Sequence, residues 1–108
     1  MQQKSAQTTD FVMAAYVDNS AKGLRDFPYS TDPAVNPLTY QDLQRFDVVH
    51  TIGEVFANML HVLYASLVDE RGFSDNKLTD SEGVEGNIIF MRLLMGSLPR
   101  MPCNPNCA

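Results

Sequence analysis

Three titratable side chains share one face of an apolar stretch in the middle of this chain: His50, Glu54 and His61. At about 100° per residue of helix they fall within roughly 40° of one another. The helical rise of about 1.5 Å per residue, however, separates the two histidines by about 16 Å along the axis. His50 and Glu54 could supply two metal ligands, but the sequence offers no third nearby. We therefore predict no metal site in this chain.

Each of these side chains also has a structural interpretation. A polar group in an apolar helix carries a solvation cost unless it is paired, exposed or functional. We expect Glu54 to bond to a neighbouring segment and His61 to be satisfied by packing or water. His50, at the start of the helix, is either a structural residue or a site residue. Arg25 lies in an irregular segment and is by itself an ordinary loop arginine.

Two cysteines, Cys103 and Cys107, lie at the end of the chain. They are free thiols, or they pair with each other, or they pair with partners outside this chain. A zinc knuckle is the weakest of the interpretations, because structural zinc takes four ligands and nothing nearby completes the set.

Composition limits the class of protein. The 108 residues fit one domain or a piece of a larger one, and 44% hydrophobic content is enough for a core. A net charge of −5, with scattered basic residues, argues against nucleic-acid binding. No uninterrupted apolar run reaches the roughly 18–20 residues that span a bilayer, and we expect no membrane partner. Residues 1–10 are a polar tail without the apolar core of a signal peptide.

The apolar pattern predicts a mainly α fold. A central helix is expected over residues 48–69, followed by a stop at Gly72, and a last helix over about 85–98, ended by Pro99. The repeat of about 3.6 residues predicts that the central helix buries a wide stripe. That stripe comprises Val49, Ile52, Phe56, Met59, Leu60, Leu63 and Leu67, widened by Val48, Val55 and Val62.

The N-terminal third is expected to be irregular or extended. Residues 11–17 are apolar but too short to separate helix from strand, and residues 18–37 carry three prolines and form a long loop of the kind that is often functional. Thr39 with Asp42 is typical of a helix N-terminus, so residues 40–46 are expected to form a short helix. Residues 74–82 are expected to form polar turns.

Several specific runs resemble the C-terminal part of fungalysins, which are secreted fungal zinc metalloendopeptidases with a thermolysin-like catalytic domain. The resemblance extends from about Phe11 to Pro105. The matching runs are Tyr29-Ser30-Thr31, Val35-Asn36-Pro37-Leu38, Tyr40, Val49-His50, Ile52-Gly53-Glu54-Val55, Ala57-Asn58-Met59-Leu60-His61, Glu85-Gly86-Asn87 and Cys103-Asn104-Pro105.

The resemblance implies two site residues. His50 matches the histidine that donates a hydrogen bond to the developing oxyanion, and Arg25 matches the arginine that binds a substrate carbonyl. The zinc-binding H-E-x-x-H motif of the family and its third ligand are absent from the sequence. The chain also departs from the family at Val48, where a glutamate is usual, and at Phe56, where a tryptophan is usual. The family further implies that Cys103 pairs with a cysteine beyond this chain.

We therefore expect residues 1–108 to be a single partial domain, part of the helical lobe of a fungalysin-like catalytic domain. Its function would be to form the substrate-cleft wall of an extracellular zinc metalloendopeptidase and to carry the transition-state histidine. Alone it should be inactive and bind no zinc. Its partners would be a peptide or protein substrate and, through an exposed apolar face, a second copy of itself. The alternative is a non-catalytic helical interaction module derived from such an enzyme.

Overall fold

The computed structural model describes residues 10–21, 23–45, 49–76 and 78–103. Within these ranges the chain forms the α-helices α1 (Ala15–Asp18), α2 (Val49–Arg71) and α3 (Gly86–Ser97), with 3-10 helices at Tyr40–Gln44 and Leu98–Arg100. The β-contact in the described part is an isolated antiparallel bridge between Phe11 and Tyr29. The prediction of a mainly α fold with an irregular N-terminal third is confirmed.

The ends of the helices follow local chemistry. Gly72 has a φ of +78° and donates its N–H to the Val68 carbonyl at 2.8 Å, so it ends α2 in the left-handed conformation that glycine adopts readily. Pro99 does not end the last helix abruptly. Because proline lacks an N–H, α3 gives way at Leu98 to one 3-10 turn that contains it.

The two long helices meet where α3 begins. A Cβ at Gly86 would collide with the backbone carbonyl of Leu67, so only glycine allows α3 to start this close to α2. Asn87 is fully buried; its side chain accepts the Ser74 N–H at 2.9 Å and donates to the Ser74 carbonyl at 3.0 Å. These contacts explain why the Gly86-Asn87 pair stands at the start of α3.

The apolar core lies between the second half of α2 and α3. Its buried residues are Tyr64, Ala65 and Val68 of α2 with Phe90 of α3, and partly buried side chains surround them. The surrounding residues are Leu60, Leu67, Phe73, Met91 and Leu94.

The prediction of which face α2 buries was wrong for most of the stripe, although Val55 is buried and Leu60 and Leu67 pack against the core as predicted. Its buried positions carry Glu54, Val55, Asn58, His61, Tyr64, Ala65 and Val68. In contrast, Phe56, Met59 and Leu63 are 45%, 45% and 48% exposed; we call these three residues the outer stripe. At about 100° per residue the outer stripe lies roughly opposite Glu54 and Asn58 on the helix. Polar side chains of α2 are buried because they bind the backbone of the N-terminal segment, which leaves the apolar stripe uncovered within the described residues.

By length and composition α2 also qualifies as a helix that could cross a membrane, although Glu54 interrupts its apolar run. Of its most apolar window, 39% is buried inside the protein, and a core helix passes the same test. The buried carboxylate and amide on its inner face are typical of a core helix.

The remaining elements largely follow expectation. Asp42 accepts the Thr39 N–H at 2.7 Å and the Thr39 hydroxyl at 2.9 Å, and these bonds hold the pKa of the Asp42 carboxyl below its usual value. The short helix that they begin is a 3-10 helix. Residues 11–17 combine the bridge at Phe11 with the start of α1. Phe46, Val48 and the polar tail at residues 1–9 lie outside the described residues.

Candidate functional site

Residues 24–29, which we call the Arg25 segment, are bonded to residues 11–13. Phe11 and Tyr29 exchange backbone hydrogen bonds of 2.9 and 2.8 Å, and their rings stack with 6.1 Å between centroids. The Leu24 N–H donates to the Met13 carbonyl at 3.0 Å. These bonds fix the segment on both sides of Arg25.

Glu54 attaches the same segment to α2. Its side chain is 2% exposed, and its two oxygens accept two successive backbone N–H groups. Oε1 accepts the Phe27 N–H at 2.8 Å, and Oε2 accepts the Asp26 N–H at 3.4 Å. The sequence-based expectation that Glu54 bonds to a neighbouring segment is therefore confirmed.

A second attachment lies one turn further along α2. Asn58, which is also buried, accepts the Ser30 N–H through Oδ1 at 3.0 Å. Asn36 holds the loop from within, because its amide donates to the Pro28 carbonyl at 2.9 Å and accepts the Leu38 N–H at 3.1 Å. Residues 26–30 thus form a layer bonded to the polar face of α2, and Asn36 ties the loop that follows back to this layer.

Arg25 is half-buried at the edge of this layer. Its Nε is shielded from solvent and has no hydrogen-bond partner among the described residues. A shielded guanidinium N–H is costly unless an acceptor reaches it. Arg25 is therefore a donor that an incoming carbonyl could satisfy.

The two histidines have different environments. His50 is exposed in the first turn of α2, one turn before Glu54. An exposed imidazole on a rigid helix is accessible to a ligand. His61 is fully buried on the inner face of the helix, which favours the structural interpretation made for it from the sequence.

The described residues do not provide a metal centre. No group of three His, Cys, Asp or Glu side chains among them lies close enough to hold an ion. Cys103 is exposed and forms no disulfide within the described residues, whereas Cys107 lies outside them.

An open groove of about 570 Å³ lies between residues 78–81 and α3. Ile88, Met91 and Met95 give it apolar walls, and its lining includes neither Arg25 nor His50. The candidate site is thus an exposed face built on α2 and the Arg25 segment, not a pocket closed by this chain.

The sequence did not single out Asn58 or Asn36 as residues that organise the site. One signal was available for Asn58. It follows Glu54 by four residues in an otherwise apolar helix, and residues four apart share a helix face. Polar residues with that spacing predict an inner face that binds backbone groups.

The amino-acid sequence of this chain is similar to those of a known protein family. A family model described as "Fungalysin metallopeptidase (M36)" matches residues 1–108. "Probable extracellular metalloproteinase 2" of Arthroderma benhamiae is 38% identical over 109 residues, which cover 98% of this chain and 17% of that protein.

Other fungal relatives are similar to the same extent. "Extracellular metalloproteinase mep" of Aspergillus flavus is 38% identical over 93% of this chain and 16% of its own length. "Extracellular metalloproteinase 1" of Arthroderma otae is 39% identical over 95% of this chain and 17% of its own length. The chain thus spans about a sixth of the curated relatives it matches.

Proposed function

The chain belongs to the fungalysin family of metallopeptidases, and we propose that it forms one wall of the substrate cleft in an extracellular zinc metalloendopeptidase. The resemblance seen in the sequence is thereby confirmed at the level of the family. In this proposal His50 donates a hydrogen bond to the oxyanion that develops as a peptide bond is attacked. Arg25 binds a backbone carbonyl of the same substrate.

The observation that carries the proposal is the attachment of the Arg25 segment to the helix that begins beside His50. A peptide in the cleft would meet both donors only if their spacing were fixed, since a preorganised donor stabilises a transition state without reorganising. Glu54 supplies such a fixed link, four residues after His50 on α2 and bonded to the residue pair that follows Arg25.

The chemistry of the two donors fits these roles. An imidazole N–H that is exposed at the end of a rigid helix can reach a transient oxyanion. The guanidinium of Arg25 is planar and carries several N–H donors, so it can orient a carbonyl better than a lysine could. The shielded Nε of Arg25 supports this, because it gains a partner when a carbonyl binds.

The metal would be held elsewhere in the polypeptide. The described residues lack a three-ligand cluster, and the sequence has no H-E-x-x-H motif. We therefore assign the zinc ligands and the acid that activates water to the portion of the relatives that this chain does not match. The outer stripe of α2 supports a covering partner of this kind, because neighbouring apolar side chains exposed on one face often mark an interaction surface.

A chimera tests the proposal. The matching segment of the Arthroderma benhamiae relative is replaced by residues 1–108 of this chain, and peptide hydrolysis is compared with that of the unmodified relative and of this chain alone. The chimera should be active within about tenfold of the relative, and the isolated chain should be inactive.

The matched control is a chimera that carries His50→Ala, which should fold and bind zinc yet lose activity. If the chimera without the His50→Ala substitution folds and binds zinc but has no activity, the proposal is contradicted. That result would favour the other hypothesis, a non-catalytic helical module that binds a peptidase.

A further inference from the structure

We propose that Glu54 is a positioning residue for substrate binding, which sets the place of Arg25 relative to His50. The inference rests on the proposed roles of Arg25 and His50 and adds a residue that acts through Arg25 without touching substrate. It concerns a carboxyl group that is fully enclosed and that accepts hydrogen bonds from backbone instead of from a side chain.

The geometry places Glu54 on the peptide group of Arg25 itself. The Asp26 N–H that donates to Oε2 belongs to the peptide bond joining Arg25 to Asp26. The Phe27 N–H that donates to Oε1, at 2.8 Å, belongs to the next peptide bond. One carboxylate therefore orients two consecutive peptide planes, and the direction in which the Arg25 side chain leaves the backbone depends on the first of them.

The same carboxylate is tied to His50 by the helix. Four residues of α-helix correspond to a rise of about 6 Å and to nearly the same angular position, so the two Cα atoms have a fixed relation. No loop intervenes between His50 and Glu54, since both lie in α2. Glu54 is thus the shortest described link between the two proposed substrate contacts.

The choice of a carboxylate has a physical reason. A buried carboxyl group is costly to remove from water, and one turn further along α2 the amide of Asn58 accepts the Ser30 N–H at 3.0 Å. An amide, however, has one acceptor oxygen and would present its NH₂ to the second N–H. Two successive N–H groups require two acceptors on one side chain.

The test is a double-mutant cycle in the active chimera or the complete enzyme. Glu54→Gln keeps the size of the side chain but removes one acceptor. It should raise KM for a peptide substrate on the order of tenfold with little change in kcat, because a displaced anchor weakens binding. In the Arg25→Ala background the same substitution should change KM by less than twofold, since Glu54 acts through Arg25.

Asn87→Ala is the matched control. Asn87 is likewise a buried helix residue whose side chain makes two hydrogen bonds to one loop, but that loop is at Ser74. It should lower the melting temperature as Glu54→Gln does and leave KM within twofold of wild type. A parallel rise of KM in both variants would mean that any loosening of the fold has this effect, and would overturn the inference.

The outcomes separate this inference from the function it rests on. If Arg25→Ala alone leaves KM unchanged, the proposed role of Arg25 fails. Only the proposed role of Glu54 fails if Arg25→Ala raises KM and Glu54→Gln does not. The same conclusion follows if the fold changes in KM of the two single variants multiply in the double variant.

A measurement without any Glu54 variant covers the case in which Glu54→Gln does not fold. Coupling is reciprocal, so a peptide inhibitor that binds Arg25 should stabilise the Glu54 contact. In the wild-type enzyme, inhibitor should slow hydrogen exchange of the Asp26 and Phe27 amides at least threefold, and in Arg25→Ala it should not. Equal slowing in both proteins, or none in either, would contradict the inference.

Discussion

The ring of Tyr64 on α2 meets the ring of Phe90 on α3 edge to face, with 5.3 Å between centroids and 77° between planes. Both side chains are buried, and with Ala65 and Val68 they form the apolar core. Aromatic pairs in this geometry contribute about 0.5–1.5 kcal/mol beyond the area they bury. This pair therefore joins α2, the helix that carries His50 and Glu54, to α3.

Phe90→Ala should remove most of the fold's cooperativity. Truncating a buried phenylalanine typically costs about 3–5 kcal/mol, a large part of the stability of a small domain. In urea denaturation of the isolated chain followed by circular dichroism, the variant should unfold at a much lower midpoint or lack helical signal in buffer. Leu93→Ala on the same helix is the control; Leu93 is 59% exposed and its loss should cost about 0.5 kcal/mol or less. Equal midpoints for the two variants would disprove the assigned core.

The outer stripe of α2 should drive self-association of the isolated chain. Phe56, Met59 and Leu63 are each nearly half exposed on one face, and contiguous apolar surface of this kind seeks a partner. We expect the isolated chain to be oligomeric or aggregation-prone in sedimentation velocity at micromolar concentration. Phe56→Gln combined with Leu63→Gln should shift it toward monomer, whereas Asp69→Asn, at an exposed position of α2 outside the outer stripe, should not. A strictly monomeric wild-type chain with a sharp melt would contradict this.

The outer stripe also explains where prediction from sequence failed. The repeat of apolar residues correctly indicated a helix, which was predicted over residues 48–69 and lies at Val49–Arg71. It did not identify the buried side of that helix, because periodicity reports hydrophobicity and not contact. Within the described residues, α2 instead packs its polar face, where Glu54 and Asn58 supply acceptors that the irregular N-terminal segment lacks. A loop with few internal hydrogen bonds must obtain them elsewhere.

The candidate site was predictable only in part. A glutamate within an apolar helix must have a partner if it is buried, so the bond of Glu54 to a neighbouring segment followed from its residue type. The identity of its partners, 27 and 28 residues earlier in the chain, did not follow from the sequence, because a contact over that distance leaves no local sequence pattern. The helix stop at Gly72 and the cap at Thr39 depend on nearby residues alone and were predicted correctly.

Zinc should not bind tightly to the isolated chain. His50 and His61 lie about 16 Å apart along one helix axis, and structural sites take four ligands while catalytic ones take three. After dialysis against trace zinc at neutral pH, elemental analysis should find much less than one equivalent, and titration calorimetry should find no submicromolar site. Stoichiometric zinc that is lost in His50→Ala would show that this prediction is wrong.

The last prediction concerns His50 in the active chimera. If its imidazole donates to the oxyanion only in the transition state, His50→Ala should lower kcat and leave KM nearly unchanged, because the ground-state complex does not use that bond. The loss of one such donor typically reduces kcat on the order of 10²–10³-fold. Arg25→Ala should instead mainly raise KM, since a substrate carbonyl is present in both states. Steady-state kinetics on one peptide substrate, with zinc content measured for each protein, distinguishes the two patterns. Activity of His50→Ala within twofold of wild type at unchanged zinc content would show that the exposed histidine has no catalytic role.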